Sequence, residues 1–290
     1  MPENEENENI DDILSEELEE SQISREERAH EAFELADSGD YISAGEILME
    51  IGIEALEENE FDEAEEYFKQ ALDMFREEKD EKREGNARHS LAYAQYNKGE
   101  LDSALANARA AMDIFEKYND ENAKIDASHL IGLILHKMGN LDQAISELLK
   151  ALDYYAAKGD EDSVATVCID LGLAYGAKGD MTHALKFFTK AKEIYSRKGD
   201  AALRELAILE QSMGEAYSYA GTTRSMSKSA ECLTHAGEIF GKLGDKESLE
   251  QIIEILEDRM ETLSKAAKKK LIQKLHELYE YYRKLGGQLE

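Results

Sequence analysis

The sequence predicts an all-α fold, a solenoid of antiparallel helix pairs, and three observations predict it. The first is self-similarity. Gly99, Gly139 and Gly179 recur every 40 residues, and so do Asp80, Asp120, Asp160 and Asp200. Ala64, Ala104, Ala144 and Ala184 keep the same step, as do Phe75, Phe115, Tyr155 and Tyr195. A fixed period of this length marks a stacked array, in which each repeat packs on its neighbours and no single core has to grow with chain length. The second is punctuation by Gly-Asp. Glycine past a helix end takes the left-handed conformation, and the aspartate after it caps the open N–H groups of the next helix. The third is the absence of proline after Pro2 and of strand-like alternation, so helices run until glycine and aspartate stop them.

In chain order, residues 1–22 carry Glu3, Glu5, Glu6, Glu8, Asp11, Asp12, Glu16, Glu17, Glu19 and Glu20, with no basic residue before Arg25. One sign of charge and few apolar residues predict a disordered tail, although Ile10, Ile13, Leu14 and Leu18 keep a helical spacing. Residues 23–40 hold a first helix closed by Ser38-Gly39-Asp40. Five repeats follow over 41–245, with boundaries at 41–80, 81–120, 121–160, 161–200 and 201–245. Their helix pairs are 41–58 with 61–78, 82–98 with 101–118, 122–138 with 141–158, 161–178 with 181–198, and 201–220 with 226–242. In the fifth unit Thr222, Thr223, Arg224 and Ser225 are expected to lengthen the loop, starting the second helix late. Residues 246–290 supply two capping helices, near 246–263 and 266–285.

Each first helix holds a small residue at one position: Gly52, Ala92, Gly132, Gly172 and Gly214. A mid-helix glycine costs about 1 kcal/mol relative to alanine, so five small residues in register need a packing reason. Close approach is that reason, with the alanines of the second helix (Ala64, Ala104, Ala144 and Ala184, then Ala71, Ala111, Ala151, Ala191 and Ala236) expected to enter the gap. Gly172→Leu is expected to overpack the pair by about 1–3 kcal/mol or more.

Leu171-Gly172-x-x-Tyr175 and Met213-Gly214-x-x-Tyr217, with Ile131-Gly132 in part and Ala184, Phe188 and Ala191 behind them, resemble the tetratricopeptide repeat. The resemblance runs from about residue 41 to 245. A period of 40 and the missing terminal proline make it similar to the longer-repeat branch, with kinesin light chains, repeat-bearing G-protein regulators and bacterial peptide-receptor regulators. The resemblance implies a right-handed superhelix whose concave groove, lined by the first helices, binds protein or peptide. Carrying the groove positions across gives Asn86, His89, Tyr93, Tyr96 and Asn97 in the second repeat, and Asp126, His129, Leu133, His136 and Lys137 in the third. The fourth gives Thr166, Ile169 and Leu173, the fifth Gln211, Glu215, Ser218 and Tyr219, and the first Glu46, Met49, Ile53 and Leu56. Amides that hydrogen-bond a peptide backbone beside tyrosines with broad contact area suit such a ligand; packing between neighbouring helices is the other reading of the same residues. The carboxylate clamp of chaperone-binding repeats is absent, because His89 and Tyr93, then His129 and Leu133, stand where lysine and asparagine would.

The composition excludes several classes. With 34 basic and 64 acidic residues the formal charge is −30. Such a chain repels nucleic-acid phosphates and anionic membrane surfaces, so neither partner is expected. No apolar run approaches a membrane span, and no secretory signal is visible. Cys168 and Cys232 form no C-x-x-C pair and fit a reducing cytoplasm. Equivalent helices of neighbouring repeats lie about 10 Å apart, which separates His89 from His129 and makes a shared metal unexpected. Their titration near neutrality leaves a pH-sensitive groove open. No phosphate-binding glycine loop and no nucleophile elbow occurs. The last helix carries Leu271, Leu275, Leu278, Tyr282 and Leu285, and Ile272 and Tyr279 widen that stripe towards bundle packing rather than a narrow coiled-coil seam; it reads as a cap, with self-association of an otherwise monomeric chain as the second reading. Lys265, Lys268, Lys269, Lys270 and Lys274 make it locally basic. The expectation is a non-catalytic binding scaffold without cofactor. A peptide-sensing regulator and a non-catalytic subunit of an enzyme complex are the alternatives.

Overall fold

The computed structural model describes residues 24–287, so the acidic segment 1–22 and its expected disorder lie outside the described residues. The helices are α1 (Arg25–Asp37), α2 (Tyr41–Glu57), α3 (Phe61–Glu77), α4 (Glu81–Lys98), α5 (Leu101–Lys117), α6 (Glu121–Lys137) and α7 (Leu141–Lys158). Then come α8 (Glu161–Ala177), α9 (Met181–Lys198), α10 (Leu203–Tyr219), α11 (Thr223–Leu243), α12 (Lys246–Arg259) and α13 (Lys265–Lys284). No strand occurs among the described residues, and none of their helices is long and apolar enough to cross a membrane. The fold is an all-α solenoid of antiparallel helix pairs.

The turn chemistry follows the expected division of labour. Asp40, Asp80, Asp120 and Asp160 accept from the backbone N–H three residues on, at 3.0–3.2 Å, and thereby start the first helix of each of four repeats. Gly99, Gly139, Gly159 and Gly179 take φ between +74° and +86°. Three copies lack the glycine, and Asn59, Lys79 and Asn119 adopt the same left-handed turn at φ 63°, 59° and 54°. The fifth repeat departs twice. Gly199 sits at φ 62°, ψ −137°, a region open only to glycine, and a 3₁₀ turn over Gly199–Ala202 replaces the cap expected from Asp200. Thr222–Ser225 do not lengthen the loop. Thr222 accepts from the Ser225 N–H at 3.1 Å and donates its own N–H to the Ser225 hydroxyl, a reciprocal cap that starts α11 at Thr223 and makes it 21 residues long.

The small residues of the first helices have a different partner from the expected one. A Cβ at Gly52 would stand 2.6 Å from the Phe68 ring, at Gly132 2.8 Å from Leu148, at Gly172 2.5 Å from Phe188, and at Gly214 2.8 Å from Leu233. Large side chains therefore fill the space over each glycine, and the alanines on either side only let the helices come close enough for that. Where the second repeat has Ala92, the partner position holds Ala108, and both are fully buried.

The chain divides into two compact units, up to Ala127 and from Ser128. In the first, Phe68, Phe75, Leu48 and Leu91 anchor the core, and a polar chain crosses the stack beside it. Glu65, 4% exposed, accepts from Gln95 at 3.0 Å and from Lys69 at 2.7 Å, and pairs with Lys98. Gln95 in turn accepts from Asn107 at 2.9 Å, and Asn107 from Arg88 at 3.2 Å. In the second unit the terminal core gathers Leu233, Phe240, Leu249, Leu256, Leu275 and Leu278, so α12 and α13 close the last repeat as a cap.

Candidate functional site

In the first unit the exposed stripe of the first helices is aromatic and amide-bearing. Tyr93, 43% exposed, lies with its ring centroid 6.5 Å from that of Tyr96, and Ile53 on α2 is 44% exposed. Asn86 is exposed, and the Asn97 amide donates to the Tyr93 carbonyl at 2.8 Å, which leaves its oxygen as the free group. His89 leans on Phe115, centroids 6.5 Å apart at 60°, so it belongs partly to the repeat's packing. Asp126 is exposed. Glu46 is engaged by Arg83 at 2.7 Å.

In the second unit the first helices carry a run of titratable groups of their own. His129 Nε2 lies 2.6 Å from Asp170 Oδ2, joining the first helices of successive repeats. Burial draws the His136 pKa below its ordinary 6.5, against the opposing pull of Glu215 and Asp170. Leu133 and Gln211 are half-buried, Lys137 is exposed, and Tyr219 donates its hydroxyl to Glu215 at 2.8 Å. Ile169, expected in the groove, is buried, because α8 turns that position into the stack where Gly176 brings it against Ala216 of α10.

Two residues of this stretch escape the sequence pattern. Asp170 stands one place past Ile169, the groove position that the small-residue frame assigns, and only the histidine 41 residues earlier signals it. Arg259 lies beyond the repeats, in the cap, where no periodicity applies; it reaches back to the Gly214 carbonyl and the Ser229 hydroxyl. The two thiols are held neutral: burial pushes Cys168 up to about 11 and Cys232 up to about 12. Among the described residues no three His, Cys, Asp or Glu side chains gather as a metal site would require. What the stripe offers is contact area, hydrogen bonds and charge.

Stacked antiparallel helix pairs with an exposed stripe along the first helices define a helical-repeat protein. The tetratricopeptide repeat matches residues 49–121 and again residues 123–197, and the chain belongs to that family. Among solved structures, BtubC (BKLC) from P. vanneervenii is 20% identical with a TM-score of 0.60, covering 76% of this chain and 89% of its own. The apo form of RapI is 14% identical with a TM-score of 0.62, over 91% of this chain and 97% of its own. A Rap protein complexed with competence and sporulation factor is 15% identical with a TM-score of 0.56, over 96% and 93%. At these identities the likeness is one of fold. No curated protein sequence matches the chain.

Proposed function

We propose that the chain is a non-catalytic scaffold that binds a peptide or an extended protein segment along the exposed faces of its first helices. One observation carries this reading. Ile53, Tyr93, Ile208 and Tyr219, each between 43% and 47% exposed, all project from first helices, beside the hydrogen-bonding side chains of Asn86, Asn97 and Gln211. Large apolar groups left in water next to amides suit a ligand whose side chains and backbone must both be met. The likeness to a Rap protein solved with competence and sporulation factor supports the same use of this fold.

Capture on the immobilised full chain, with bound peptides and proteins identified by mass spectrometry, tests the proposal. Tyr93→Ala and His129→Ala are expected to lose at least about tenfold of the specific ligand, about 1.4 kcal/mol per tenfold. Capture that is the same for wild type and both variants would count against the groove. A regulatory form of this reading has its own support in the His129–Asp170 contact. A ligand that takes over Asp170 releases a link between two successive repeats and changes their stacking.

A further inference from the structure

Arg259 is the last residue of α12, and its guanidinium is spent on neutral groups. One nitrogen, Nη1, donates to the Ser229 hydroxyl and to the Gly214 carbonyl oxygen at 3.3 Å. Ser229 is fully buried and itself donates to the same carbonyl at 2.6 Å, so the arginine is fastened to the seam between α10 and α11. Among the described residues no carboxylate makes an ion pair with it, in a chain with 64 acidic and 34 basic residues. Arg28, Arg83, Arg88 and Arg204 each hold at least one carboxylate. A half-buried charge without a counter-ion is unfavourable, and guanidinium stays charged at any working pH. Burial lowers the Arg259 pKa while Glu215 and Tyr219 act to raise it, which places both of them within its field.

Glu215 makes no ion pair with Arg259 among the described residues. The Tyr219 hydroxyl, one turn on in α10, donates to Glu215 Oε1 at 2.8 Å. With Nη1 fixed, Nε and Nη2 remain, the edge that receives a carboxylate in two parallel hydrogen bonds. We infer that Arg259 anchors the carboxylate of a bound peptide at the cap end of the stripe, with Tyr219 acting as the positioning residue that keeps Glu215 from occupying the arginine itself. The inference rests on the peptide-binding reading above. It favours a carboxylate over a phosphate, whose second charge would stand against Glu215. The carboxylate is either the peptide's own C-terminus or an aspartate or glutamate side chain.

Four pools of N-acetylated random hexapeptides separate these sources: C-terminus free or amidated, each with or without Asp and Glu. They are offered to the immobilised full chain, and the retained peptides are quantified by mass spectrometry. Wild type is expected to retain carboxylate-bearing peptides at least about tenfold over the amidated pool lacking Asp and Glu. Whichever of the two carboxylate sources carries the preference is thereby named. Arg259→Gln is expected to abolish the preference and Arg259→Lys to keep part of it, with circular dichroism confirming that each variant is folded. Should Arg259→Gln fail to fold, Tyr219→Phe decides, because Tyr219 is exposed. Releasing Glu215 onto the arginine is expected to cut retention of the carboxylate-bearing pools at least about threefold, and unchanged retention overturns the anchor. Equal retention of all four pools by wild type, or a preference that survives in Arg259→Gln, also overturns the anchor but leaves the groove intact. Retention of no pool overturns both.

Discussion

At the residue scale, position in the repeat did not settle environment. His89 and His129 occupy equivalent places, yet one leans on Phe115 and the other faces Asp170 at 2.6 Å. The repeat frame is legible in a single sequence; the partner is not, because it comes from another repeat and another column. Glu65 shows the same thing with a measurable consequence. Burial alone would raise its pKa, but hydrogen bonds from Lys69, Lys98 and Gln95 prevail and bring it to about 2, from an ordinary value of 4.5. A carboxyl depressed on folding stabilises fully above its unfolded value, and that contribution disappears as pH falls from about 4.5 towards 2. Glu65→Gln should therefore cost about 1.5–3 kcal/mol at pH 7, the range for hydrogen bonds to a charged group. In urea titrations its deficit should shrink between pH 5 and pH 3, and a deficit constant with pH would refute the assignment. Lys79 is the other residue-scale case. Its left-handed φ of 59° costs a side-chain-bearing residue about 1–3 kcal/mol, while glycine gives back about 0.5–1 kcal/mol in chain entropy. Lys79→Gly is thus expected to raise stability by roughly 1 kcal/mol, seen as a higher urea midpoint with unchanged slope.

At the scale of elements, the helix pairs were readable because glycine, aspartate and the absence of proline act locally. How the pairs pack was only half readable. Small residues in register correctly imply close approach, but they do not say what enters the gap, since both an alanine and a large knob can fit over a missing side chain. Phe68, Leu148, Phe188 and Leu233 are the knobs, and the Ala92–Ala108 pair shows that both members change together. A double-mutant cycle on the fourth repeat tests this coupling. Gly172→Ala places a methyl 2.5 Å from the Phe188 ring and should cost about 1–3 kcal/mol by overpacking. Phe188→Ala should cost about 3–5 kcal/mol through the cavity it leaves. The pair together recreates the alanine–alanine solution of the second repeat, so its cost should fall short of the sum by about 1 kcal/mol or more. Strict additivity in thermal or urea unfolding would show that the two positions do not share the space.

At the scale of the whole molecule, charge is the feature that stands out, and here two electrostatic effects oppose each other. Surface pairs such as Arg197–Glu161 at 2.9 Å and Lys178–Asp142 at 2.5 Å tie each turn to the helix behind it, and the Arg25 guanidinium gathers Glu58, Glu60 and Glu63. Exposed pairs of this kind contribute about 0–1 kcal/mol each and weaken as salt is added. The net −30 acts in the other direction, since like charges spread over the folded chain repel one another, and salt relieves them. Range decides between the two. Raising ionic strength from about 0.01 to 0.15 M shortens the screening length from about 30 to 8 Å, which removes long-range repulsion while leaving contacts under 4 Å largely in place. The melting temperature is therefore expected to rise with sodium chloride over that interval by a few degrees, the shift that about 1 kcal/mol produces in a chain of this size. A melting temperature that falls instead would mean that the local pairs, the Arg25 cluster foremost, hold more of the stability than the excess charge removes.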